Sequence, residues 1–174
     1  MDTTTAKAQI FAMLDTDGDG SISRDEYLAR PARVAAAMAR PARDPLVVAA
    51  HAAHERVYAA MDADGDGRVT LEEYAAWAGG PAFDEVCRPA LGSLFDLADA
   101  DATGQLDRAS FARLREVLGN PPSGADAAFD ALDTDGDGRV SRDEYLASIR
   151  AYVISSGPTG VDALYATPGA PSAR

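Results

Sequence analysis

Three twelve-residue stretches bring acidic side chains together at alternate positions: DTDGDGSISRDE from Asp15, DADGDGRVTLEE from Asp62 and DTDGDGRVSRDE from Asp133. In each, short carboxylates stand at positions 1, 3 and 5, glycine at 6 and glutamate at 12. That spacing suits a hard divalent cation. Three aspartates turn inward and the glycine allows a sharp bend. The backbone carbonyl at position 7 adds an oxygen, and the glutamate closes the site with both of its own. About seven oxygens result, which is the demand of calcium. The candidate ligands are Asp15, Asp17, Asp19, Ser21 and Glu26; Asp62, Asp64, Asp66, Arg68 and Glu73; and Asp133, Asp135, Asp137, Arg139 and Glu144, with Ser21, Arg68 and Arg139 acting through their carbonyls. Three calcium ions (Ca2+) are expected.

A fourth stretch, DADATGQLDRAS from Asp99, keeps the acids at positions 1 and 3 and the glycine at 6 but has Thr103 at position 5 and Ser110 at position 12. A serine hydroxyl is neutral and too short to bind bidentately from there, so the loop loses two formal charges and at least one oxygen. It is expected to be metal-free and structural, paired with the loop that starts at Asp133. The alternative is a weak, water-completed site helped by Thr103, Asp107 and the Gln105 carbonyl.

The elements around the loops repeat as well. Four residues before the loops stand Phe11, Tyr58, Phe95 and Phe129, and one residue after them Tyr27, Tyr74, Phe111 and Tyr145. Position 8 is always apolar, as Ile22, Val69, Leu106 and Val140, which predicts short strand pairing of Ile22 with Val69 and Leu106 with Val140. Ser23 with Glu26, Thr70 with Glu73 and Ser141 with Glu144 read as capping boxes, so a helix begins inside each complete loop. Asp44-Pro45 starts the third helix, while Gly79-Gly80-Pro81 and Gly119-Asn120-Pro121-Pro122 mark breaks.

With these motifs the chain resembles the EF-hand family over roughly residues 3 to 154. The expected fold is all-α: four helix-loop-helix units in two paired lobes, 1–79 and 80–154, followed by a tail, 155–174. Loop starts are 47, 37 and 34 residues apart, so the first gap is the longest. That gap, the incomplete third loop and the chain length resemble the sarcoplasmic calcium-binding proteins and the bacterial calerythrin-like proteins. The resemblance implies lobes packed into one compact globule, and a C-terminal segment that can occupy the hydrophobic cleft. Val161, Leu164 and Tyr165 are the residues that would do so, a mobile end being the alternative. Within the long gap, Pro31 predicts a kink or an early end to its helix.

Composition narrows the function. The 174 residues carry 28 acidic and 16 basic side chains, a formal charge of −12, which argues against nucleic acid or an anionic membrane as partner. One cysteine, Cys87, permits no intrachain disulfide, and no stretch approaches a membrane span of ~20 apolar residues or shows a secretory leader. A cytoplasmic monomer is expected. His51 and His54, three apart on a predicted helix, match no zinc-hydrolase signature, and no nucleophilic triad is visible, so the chain reads as a non-enzyme. Four methionines, Met1, Met13, Met38 and Met61, all precede the third loop, whereas sensors open onto a methionine-rich groove. An intracellular calcium buffer or signal modulator is therefore the first reading; a sensor that exposes an apolar surface to an unidentified protein partner is the second.

Overall fold

A computed structural model describes residues 3–78, 81, 83–120 and 122–154. Eight α-helices are found among the described residues: α1 (Thr3–Leu14), α2 (Arg24–Ala37), α3 (Pro45–Met61), α4 (Leu71–Trp77), α5 (Arg88–Ala98), α6 (Arg108–Val117), α7 (Ala125–Leu132) and α8 (Arg142–Ile154). Capping sets their starts. The Ser23 and Thr70 hydroxyls accept from the amides of Glu26 and Glu73, whose carboxylates accept from the cap amides in turn, and Ser141 and Glu144 make the same exchange. Asp44 accepts from the Leu46 amide, with Pro45 in the first turn of α3. A π-helical turn, Phe83–Cys87, leads into α5, and α4 stops at Trp77.

Strands β1 (Ser21–Ser23) and β2 (Arg68–Thr70) pair antiparallel with Ile22 opposite Val69. Strands β3 (Gln105–Leu106) and β4 (Val140–Ser141) pair likewise with Leu106 opposite Val140, the register that the apolar position 8 predicts. The flanking aromatics cross within each pair of loops. Phe11 meets Tyr74 and Tyr27 meets Tyr58 in the first pair; Phe95 meets Tyr145 and Phe111 meets Phe129 in the second, all with ring centroids 5.5 to 6.0 Å apart. Each aromatic before a loop thus packs on the aromatic after its partner loop, which fixes helix spacing at both ends of the sheet.

The two halves share one core. α3 and α2 pack on α5, α2 also on α6, and α1 on α8. An apolar cavity of about 60 Å³ remains between them, lined by Leu14, Tyr27, Trp77, Cys87, Leu91 and Ile149 among others. Cys87 is buried there, and burial pushes its thiol up to about 12. Pro31 does not end its helix: it is buried in α2, which runs on to Ala37. The end comes instead at Ala39, whose positive φ of 54° allows the Ala39 and Arg40 amides to bond Ala36 and Ala35.

That ending accounts for the long first gap. It aims Arg40 at the end of α5, where the guanidinium donates to the carbonyls of Leu97 at 2.8 Å, Asp99 at 3.2 Å and Asp96 at 3.3 Å while pairing with Asp44 at 3.1 Å. A cation at the negative end of a helix is favourable. The tail residues Val161, Leu164 and Tyr165 lie outside the described residues, as do Gly79, Gly80 and Pro121.

Candidate metal centres

Each complete loop is drawn inward by its own first aspartate. Asp15 accepts from the amides of Gly18, Asp19 and Gly20 at 2.8, 3.1 and 3.0 Å, and Asp62 repeats these bonds with Gly65, Asp66 and Gly67. Asp133 bonds the Asp137 and Gly138 amides at 3.0 Å each. Position 4 adopts a left-handed backbone in these loops, with φ of 71°, 72° and 71° at Gly18, Gly65 and Gly136. Glycine takes that conformation without the steric penalty of a side chain.

The loops bring most of the expected ligands together. Carboxylate oxygens of Asp15, Asp17 and Asp19 lie within 4.8 Å of one another, as do those of Asp62, Asp64 and Asp66, and those of Asp133, Asp135 and Glu144. Oxygens bound to one calcium ion at about 2.4 Å are at most about 4.8 Å apart, so the donor set and its dimensions fit this ion. Asp137, Glu26 and Glu73 stand outside those groups. Asp137 accepts the Arg139 amide at 2.8 Å. Glu26 reaches back over its loop, accepting from the Thr16 amide and hydroxyl at 2.9 Å each and the Asp17 amide at 3.1 Å. Glu144 does the same to Thr134, and Glu73 to the Ala63 amide.

Hydrogen bonding sets the charge of these groups. Burial works to raise the Glu26 carboxyl, but bonds from Ser23, Thr16 and Asp17 outweigh it and hold the group at about 2. Glu144 is held at about 2 by the same balance: burial opposes, and Ser141 and Thr134 prevail. Thr70 lowers Glu73, by its amide and then its hydroxyl. The Ser21 hydroxyl and then Arg68 lower Asp19. Asp135 moves the other way: the Asp137 amide pulls it down, but desolvation and the nearby Asp137 and Glu144 carboxylates carry it upward. The four lowered acids, Glu26, Glu144, Glu73 and Asp19, are therefore ionised near neutrality, which is the form that binds a cation.

The loop from Asp99 folds like the others while its position-5 oxygen is neutral. Asp99 accepts from Thr103 and Gly104 amides at 3.1 and 2.6 Å, and the Thr103 hydroxyl accepts from the Gln105 amide at 3.3 Å, where Asp19 accepts from Ser21 in the first loop. Asp107 caps α6 through the Ser110 amide at 2.8 Å, without a glutamate to return the bond. A third difference from the complete loops emerges at position 4, where Ala102 is forced to a φ of 52°. The substitution was visible in the sequence; its backbone consequence was not.

Side chains that cross between loops escaped sequence reasoning. Tyr58 places its hydroxyl 3.1 Å from the Ile22 carbonyl and 2.8 Å from that of Gly67, tying β1 and the residue just before β2 to α3. Arg68 donates to Asp19 at 2.9 Å, and Gln105 to Asp137 at 3.3 Å. The histidines form no metal pair. His54 is fully buried with its Nδ1 2.7 Å from the Ala50 carbonyl, while His51 is exposed beside Glu55.

Comparison with known proteins agrees with this geometry. Calerythrin of Saccharopolyspora erythraea is 32% identical over 74 residues, a stretch that spans 42% of each chain. The structure of a Streptomyces coelicolor calcium-binding protein, described as a basis for prokaryotic calcium-mediated regulation, is 30% identical with a TM-score of 0.74, covering 87% of this chain and 98% of that one. Calcium-loaded apo-aequorin from Aequorea victoria shares the fold at 18% identity, with a TM-score of 0.71 over 90% of this chain and 93% of its own. The EF-hand domain pair matches twice, at residues 4–79 and 88–150, and the chain belongs to that calcium-binding family.

Proposed function

We propose that the chain is a calcium buffer or signal modulator that takes up three ions, at loops 15–26, 62–73 and 133–144, and keeps loop 99–110 metal-free as a structural partner. The observation that carries this is the grouping of carboxylate oxygens within 4.8 Å in three loops. The 1–79 and 80–154 halves act as paired lobes of a monomer.

The closed interior favours buffering. Both rows of flanking aromatics are buried, and the exposed large apolar residues among those described are Leu46, Val48 and Leu71. A regulator is the second reading, favoured by the likeness to the Streptomyces protein described in terms of calcium-mediated regulation. An apolar dye with scattering, each with and without calcium, separates the two. Unchanged dye emission and slight compaction are expected of the buffer; strong calcium-dependent emission would favour the regulator. Glu26→Gln, Glu73→Gln and Glu144→Gln should each remove one bound ion, and a substitution that leaves the count unchanged overturns the assignment of that loop.

A further inference from the structure

In both pairs of loops, the residue at position 7 of one loop sends its side chain across the sheet to the position-5 acid of the other. Arg68 Nη1 lies 2.9 Å from Asp19 Oδ2 and 2.9 Å from Ser21 Oγ, while the Ser21 hydroxyl itself donates to Asp19 Oδ1 at 2.8 Å. Both oxygens of Asp19 are thus engaged by hydrogen-bond donors before a metal arrives. In the second pair the same place is taken by Gln105, whose Nε2 lies 3.3 Å from Asp137 Oδ2. The geometry is repeated but the charge is not: one position-5 acid faces a guanidinium and the other a neutral amide.

Resting on the three-site reading above, we propose that the position-7 side chain of the paired loop sets the calcium affinity of its neighbour, Arg68 holding loop 15–26 down and Gln105 leaving loop 133–144 at full strength. Arg68 acts in two ways. It stabilises the ion-free Asp19 carboxylate, which a cation must share, and it repels the incoming divalent ion. It is a positioning and affinity-determining residue for loop 15–26, while its own carbonyl belongs to the ligand set of loop 62–73, so the filling of one loop bears on the other. The pair is open to solvent, with side chains 61% and 40% exposed, so its influence is screened by salt.

The amides of Gly20, Gly67 and Gly138, each 3.0 Å from the first aspartate of its loop, report the loops separately in a calcium titration followed by nuclear magnetic resonance. In the full chain, Arg68→Gln should tighten loop 15–26 about three- to tenfold at about 20 mM salt and less than about twofold at about 0.5 M. The reciprocal Gln105→Arg should weaken loop 133–144 by a similar factor with the same salt dependence. An unchanged or weakened loop 15–26 in Arg68→Gln, an unaffected loop 133–144 in Gln105→Arg, or a change indifferent to salt would overturn the proposal. If these amides in the unsubstituted protein do not respond to calcium at all, the calcium-binding function fails and takes this inference with it. A normal response combined with inert substitutions overturns this inference alone.

Discussion

His54 is buried against Tyr27, their ring centroids 5.5 Å apart, and its Nε2 meets no hydrogen-bond partner among the described residues. Burial, then the nearby Arg30 charge, drops the imidazole to about 4 despite its bond to Ala50. An unfolded chain therefore takes up a proton at His54 below its ordinary value, near 6.5, that the folded chain refuses. The associated stability is fully present above pH 6.5 and is lost as pH falls toward 4. Between pH 6.5 and 5.5, before glutamates of the unfolded chain begin to titrate, the calcium-free protein should lose about 1 kcal/mol in denaturant unfolding. His54→Leu should flatten that window, and an unaltered slope would refute the assignment. At the same scale, Ala102→Gly should raise stability by about 0.5–1 kcal/mol, read as a higher unfolding temperature, because glycine relieves the left-handed backbone.

Among the elements, the stretch between α2 and α3 behaves as a connector with a task. The ending at Ala39 places Arg40 on the last carbonyls of α5, so the first lobe holds the entering helix of the third loop. Arg40→Met should cost about 2 kcal/mol, since it strips a half-buried site of its donor and leaves Asp44 without its partner. Chemical denaturation measures this, and a loss indistinguishable from that of Arg33→Met, at an exposed position on α2, would contradict it.

The capping boxes and the Asp44-Pro45 start were legible in the sequence because each depends on neighbours a few residues away, and the strand register because the apolar position 8 repeats in every loop. Pro31 and Arg40 were not. The fate of a helical proline depends on the tertiary packing that buries it, and nothing in the residues beside Arg40 states that its side chain reaches residues more than fifty positions away. The same holds for Arg68 and Gln105, since spacing reveals which residues share a loop and not which side chain crosses to the next.

For the whole molecule, the opposing forces are acidic repulsion and a shared apolar core. Three divalent ions would take the formal charge from −12 to −6, relieving repulsion among the twelve candidate ligand acids of the complete loops. Calcium should therefore raise the unfolding temperature in proportion to the logarithm of its free concentration above the dissociation constants, and magnesium less so. High salt in place of calcium should give only a small part of this gain, because screening does not supply coordination. The all-α architecture and its paired lobes followed from the repeat itself, whereas their mutual packing through α2, α3 and α5 needed the structure, because the apolar faces alone do not specify their partner. The calcium-binding function rests most directly on how many ions the chain holds. Isothermal titration of the calcium-free protein should give three calcium ions per chain at micromolar or lower free calcium. A stoichiometry of four, with loop 99–110 filled, or of two would contradict it.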